Sequence, residues 1–83
     1  MNTSDHKLHI VLGSLIREIR KQRGLSAPEL AKRMGQKNAS HLLRIERGEV
    51  NPKLDTIHRI ATVFDMDAHK LIQQAQASMD EEW

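Results

Sequence analysis

Three glycines, Gly24, Gly35 and Gly48, stop three successive amphipathic segments and so limit this chain to short helices with tight connections. Before Gly24, Leu8, Leu12, Leu15, Ile16 and Ile19 recur at i, i+4, i+7, i+8 and i+11, one stripe of a helix at ~100° per residue. Arg17, Arg20 and Lys21 fall on the far side, and Ser4 or Asp5 is placed to cap the start. Gly13 lies inside this helix at a cost of ~1 kcal/mol relative to Ala, which points to a close packing contact. After Gly24, Ser26-Ala27-Pro28-Glu29 reads as a capping box, with Pro28 tolerated in the first turn. Leu30, Ala31 and Met34 supply the inner face of this second helix, and Gly35 ends it. Asn38, or Lys37, then precedes a third helix as its N-cap. There Leu42 and Ile45 face inward, while Ser40 and Arg44, four apart, share the opposite side with His41 and Arg47 beside them.

Asn51-Pro52 makes a turn into a fourth amphipathic segment carried by Leu54, Ile57, Ile60, Ala61 and Phe64. Asp67 caps a fifth helix through Leu71, Ile72 and Ala75 to about Met79. No stretch alternates with period 2, so the expected fold is all-α, five helices with short connections. Residues 1–11 form an N-terminal arm and the start of helix 1, residues 12–74 the domain, and residues 75–83 a polar, then acidic tail. In that tail Asp80, Glu81 and Glu82 sit at a helix C-terminus, where the macrodipole disfavours them, so fraying is expected. Leu71, Ile72, Ala75 and Met79 leave an apolar edge open to use as core or as a dimer seam. The chain has 83 residues, enough for one domain. It buries only roughly 60–65% of its unfolded surface, so a partner subunit would help.

The formal charge of +2 is too small to name a partner, but its distribution is informative. Residues 1–50 carry ten basic and five acidic side chains, a net of +5, and residues 51–83 carry three and six, a net of −3. Such asymmetry points to an anionic partner, against the plainer reading of a solvated basic face. Two helices joined by a short glycine-containing turn, the second polar on its outer side, are the pattern of a helix-turn-helix. The major groove admits one α-helix and is the groove in which all four base pairs differ in hydrogen-bond pattern.

The order of particular residues is more specific than their periodicity. Leu12-Gly13, Ile16 to Lys21, Gly24-Leu25-Ser26, Glu29-Leu30-Ala31, Arg44 to Gly48, Asn51-Pro52, Leu54-Asp55-Thr56, Ile60-Ala61 and Phe64 follow one another along the chain. Together this ordered set resembles the Cro/phage-repressor-type (XRE) helix-turn-helix family over about residues 12–72. The resemblance implies a compact five-helix lambda-repressor-like domain, a recognition helix at about 39–47, and operator binding as a homodimer on a pseudo-palindromic site. It implies a structural ion pair between Arg20 and Glu46. Base reading falls to Asn38, Ala39, Ser40, His41 and Arg44, with Arg44 suited to guanine O6/N7 and Ala39 to a thymine methyl. Phosphate contacts fall to Ser26, Ala27, Lys37, Asn51 and Lys53. Two positions depart from the family pattern. Ala27 stands where Gln is common, and the interval from Gly35 to Glu46 is one residue longer than usual, so these assignments are anchored from Glu46 backward. Leu43 is also larger and more apolar than the residue usual at its place, fit to thicken the core or to lie against DNA or a partner.

Other classes are weakly supported. Ser40 and His41 lack an acid to complete a triad, and His6 with His9 lacks a third ligand, so neither an enzyme, a metal site nor a cofactor is expected. Zero cysteines exclude disulfides and thiolate sites, and the aromatics Phe64 and Trp83 are too few for a base-stacking surface. The longest apolar run is Ile10-Val11-Leu12, so a membrane span is not expected and a cytoplasmic location, on the nucleoid when bound to double-stranded DNA, is. The rival reading is a protein-interaction module on the same scaffold, such as an antitoxin facing a toxin or an accessory regulator facing a co-regulator. The outer face of helix 3, with Lys37, Arg44 and Arg47 and no outward acid, favours DNA.

Overall fold

The computed structural model describes residues 3–81, with side chains from residue 8 to residue 80. Among them are five helices and no strand: α1 (Thr3–Gln22), α2 (Ala27–Arg33), α3 (Ser40–Glu46), α4 (Leu54–Val63) and α5 (Ala68–Glu81). The expected all-α architecture is therefore the observed one. α1 runs through the middle and packs on both α3 and α5, α4 leans on α5, and α2 bridges α3 and α4. α2, α3 and α4, of 7, 7 and 10 residues, are too short to be stable alone in water, and the shared apolar interior holds them in place. That interior centres on Ile16 of α1, Leu30 of α2, Leu42 and Ile45 of α3, Ile60 of α4 with Phe64 at its end, and Leu71 of α5, all fully buried.

The predicted stops are present and share one geometry. Gly24, Gly35 and Gly48 adopt positive φ of 70°, 86° and 75°. After each, the next amide reaches back five residues, as in Leu25 N–H to Arg20 O at 3.1 Å and Glu49 N–H to Arg44 O at 3.0 Å. α4 ends the same way without glycine. Asp65 takes φ 56°, and the Met66 amide donates to Ala61 O at 2.9 Å. Aspartate tolerates the left-handed region better than bulkier residues do.

Four expectations change. α1 begins at Thr3, so Ser4 and Asp5 lie within it rather than ahead of it. Leu54, read as part of the inner stripe, is 74% exposed. It is the first residue of α4, beyond the end of the core, and lines a shallow groove with Leu8, Pro52, Ile57 and Ile72. α5 does not fray after residue 75 but continues to Glu81, because Ala75 and Met79 are buried. The apolar edge of α5 is accordingly spent largely inside the protomer, with Ile72 half-buried. Glu82 and Trp83 lie outside the described residues, as do the side chains of Asp5 and His6.

Candidate nucleic-acid interface

The turn between α2 and α3 sets where the third helix begins. Ala39, not Asn38 or Lys37, occupies its N-cap position, and Ala39 has no side-chain oxygen to accept a hydrogen bond. Asn38 supplies that bond from one residue earlier: its Oδ1 accepts from the Ser40 amide at 3.0 Å. That bond closes an Asx turn over residues 38–40. This engages the Asn38 oxygen and leaves its NH2 group to donate elsewhere.

α3 is anchored by Leu42 and Ile45, and its opposite face presents Ser40, Arg44 and Arg47, all exposed. Steps of ~100° put Ser40 and Arg44 within roughly 40° of each other. His41 and Leu43 flank this stripe and are also exposed. Ala39 is partly buried against the core, which narrows what its methyl group can touch. Leu43 thus does not thicken the core.

Two contacts fix α3 to α1. Arg20 Nε and Nη2 donate to the two carboxylate oxygens of Glu46 at 2.8 and 2.9 Å, and Nη1 donates to Leu25 O at 2.9 Å. Their side chains are only 9% and 1% exposed, so the implied structural pair is a buried, fully hydrogen-bonded fork. The hydrogen bond to Glu46 raises the Arg20 guanidinium further above its ordinary value, so the residue stays charged. Gly13 is the second contact. A Cβ there would collide with the Ile45 carbonyl oxygen and lie 3.2 Å from Glu46 Cα, which explains a glycine in mid-helix.

At the start of α2 the capping box is complete. The Ser26 amide donates to Glu29 Oε1 at 2.9 Å, and the Glu29 amide donates to Ser26 Oγ at 3.1 Å. Ala27 is buried, so its methyl group belongs to the core and only its main chain is suited to a contact. The Ser26 amide first, and its hydroxyl second, hold the Glu29 carboxyl below the usual glutamate range. A carboxyl with a depressed folded-state pKa contributes stability above its unfolded value and loses it as pH falls through the folded one. Ser26→Ala is expected to move the Glu29 titration midpoint partway back up, read by NMR of its carboxyl carbon. An unmoved midpoint would exclude the hydroxyl's part in the box.

Lys37, Asn51 and Lys53 are exposed, the last two on either side of buried Pro52. Two arrangements depart from a simple DNA-facing half. Arg23 turns toward the end of α4, where Nη1 donates to Phe64 O at 2.6 Å and the guanidinium lies 5.7 Å from the ring centroid. The outer face of α3 is also not free of acid. Glu49 approaches both Arg47 Nε, at 2.7 Å, and Arg44 Nε, at 3.9 Å. The glycine turn brings it there, since Gly48 folds the chain back until the Glu49 amide meets the Arg44 carbonyl. The Gly48-Glu49 pair carries the signal for that backfold, but a helical wheel ends at Gly48.

A short helix anchored beneath, polar above and joined by a tight turn to a second short helix defines a helix-turn-helix DNA-binding domain. The chain matches the helix-turn-helix family over residues 16–71. It is 30% identical over 79 residues to the HTH-type transcriptional regulator SinR of Bacillus subtilis, covering 88% of this chain and 70% of that one. It is 37% identical over 60 residues to the ImmF control region 10 kDa protein of Bacillus phage phi105, covering 72% and 66%. The crystal structure of the clp gene regulator ClgR from Corynebacterium glutamicum superposes with a TM-score of 0.82 at 21% identity, over 90% of this chain and 79% of that one. That last likeness is one of fold. The chain belongs to the XRE-type helix-turn-helix family of DNA-binding regulators. Among the described residues no helix is long and apolar enough to cross a membrane, and no group of metal-binding side chains is found.

Proposed function

We propose that this protein is a small transcriptional regulator, a repressor in its action, that binds a specific DNA sequence as a homodimer. α3 enters the major groove of each half of a pseudo-palindromic operator. The observation that carries this reading is the Ser40–Arg44 stripe standing directly opposite the Leu42–Ile45 anchor. Arg44 reads guanine through O6 and N7, Ser40, His41 and the Asn38 amide reach neighbouring edges, and Ala39 meets a thymine methyl. Ser26, the Ala27 main chain, Lys37, Asn51 and Lys53 grip phosphates and set the register. The relatives support the regulatory part: SinR is named a transcriptional regulator, and RstR of Vibrio cholerae, 28% identical over 71 residues, a transcriptional repressor. The site of action is the cytoplasm, on the nucleoid.

Selection from random duplexes tests the proposal. A repeated motif should emerge, with half-sites one turn apart, roughly 34–36 Å. Affinity should fall steeply with salt as phosphate contacts release counterions. Arg44→Ala should cost about 1–3 kcal/mol and relax preference at one base pair, whereas Lys53→Ala should weaken all sequences alike. No enriched motif together with no salt slope would end the DNA reading. Exposed Leu43, beside the reading stripe, favours a protein partner instead, and such a partner would be captured equally well by the Arg44→Ala variant.

A further inference from the structure

Glu49 is the one acid seen to reach the reading face among the described residues, and its two oxygens treat the two arginines unequally. Oε2 forms a close ion pair with Arg47 Nε at 2.7 Å, while Oε1 stands 3.9 Å from Arg44 Nε, at the outer limit of an ion pair and beyond hydrogen-bonding range. Arg44 therefore keeps its full set of donors, whereas the Arg47 guanidinium already has a carboxylate against it. From this asymmetry we infer that Glu49 is a specificity-determining residue, an internal stand-in for a phosphate that occupies Arg47 while leaving Arg44 free to read a base. The inference rests on the DNA-binding reading above.

The physical reason lies in what each arginine offers to DNA. A guanidinium that reaches only phosphate grips every sequence equally and raises the background against which the operator is found. A carboxylate on that guanidinium makes any phosphate compete for it. The same carboxylate lowers the positive potential around Arg44 without taking its hydrogen bonds, so a guanine presenting O6 and N7 still finds a complete bidentate partner. All three side chains are about half exposed, at 54% for Arg44, 61% for Arg47 and 47% for Glu49, so water and phosphate can reach the pair. An exposed pair of this kind is weak, which makes it an adjustable competitor rather than a structural bond. Its place is set by main chain, because the Gly48 turn and the Glu49 amide to Arg44 carbonyl bond hold the residue beside both arginines.

The intact protein, Glu49→Gln, Arg47→Ala, the double variant and Asp80→Asn are titrated by fluorescence anisotropy. The probes are a mixed-sequence duplex and the duplex enriched by selection, over a range of salt. Asp80→Asn makes the same change in net charge on α5, away from the reading face. Glu49→Gln is expected to bind the mixed duplex roughly threefold to tenfold more tightly, with a salt slope steeper by about one, and to gain less on the selected duplex. The Asp80→Asn variant should match wild type, and Arg47→Ala should abolish the effect of Glu49→Gln. Equal gains from Glu49→Gln and Asp80→Asn, equal gains on both duplexes, or an unchanged salt slope would each overturn the inference while leaving DNA binding intact. A wild-type protein that binds neither duplex would overturn the functional reading and this inference with it.

Discussion

Glu46→Ala is expected to lower the free energy of unfolding by about 3–5 kcal/mol, because it strands the buried Arg20 guanidinium without its carboxylate. A chain of this length has a total stability of only about 4–12 kcal/mol, so the loss takes a large share of it. Arg20→Ala should fall in the same range, since Glu46 is the more deeply buried partner at 1% side-chain exposure. The third bond of the fork, from Arg20 to the Leu25 carbonyl, goes with it and loosens the turn into α2. Replacing both at once, Arg20→Met with Glu46→Leu, should recover most of the loss, because apolar groups of similar volume need no partner. Urea unfolding of the three variants measures this. Single substitutions that each cost under about 1 kcal/mol would show that the fork is not desolvated.

Gly13→Ala sets two physical effects against each other. Helix propensity alone favours alanine by about 1 kcal/mol in mid-helix. Packing opposes it, for the new methyl group would strike the Ile45 carbonyl oxygen, with Glu46 Cα 3.2 Å away. Both neighbours are main chain, and the Ile45 carbonyl is already held by the Gly48 amide at 3.0 Å, so neither gives way cheaply. Overpacking of this sort costs about 1–3 kcal/mol or more, and it must push α3 off α1. A fall in melting temperature of several degrees is expected, at about 4–8 °C per kcal/mol for a domain this small. The same displacement moves Ser40 and Arg44 relative to Ser26 and Lys53, so DNA affinity should drop even below the transition. A raised melting temperature would mean that propensity wins and that the seam between α1 and α3 yields to a methyl group.

Local chemistry makes much of the fold legible in the amino-acid order. The three glycine stops, the Ser26–Glu29 box and the core stripe of α1 each depend on residues within a few turns, and each is found in place. Gly13 is legible as a close contact because a mid-helix glycine is locally unfavourable, although its partner is not. What sequence periodicity misses depends on where elements end in space. Leu54 falls on the right stripe of α4 yet lies past the end of the core, so periodicity overstates its burial. Met79 falls on the apolar edge that periodicity marks, and packing inside the protomer decides its use as core. Asp65 ends α4 in a left-handed conformation with no glycine to announce it. In the site, the exposed stripe of α3 follows from helical spacing, and the Arg20–Glu46 pair from the family resemblance. The carboxylate of Glu49 beside Arg47 does not, because a chain reversal, not a helical step, puts it there.

The two ends of α3 are held with very different stiffness. Its C-terminal end is bolted to α1 by the Arg20 fork, the glycine seam and the backfolded turn, whereas its N-terminal end rests on Leu42 and on one hydrogen bond from Asn38. The helix is therefore held by more bonds near its C-terminal end than at its first turn. On the reading proposed above, the clamped end sets the depth and angle at which α3 meets DNA.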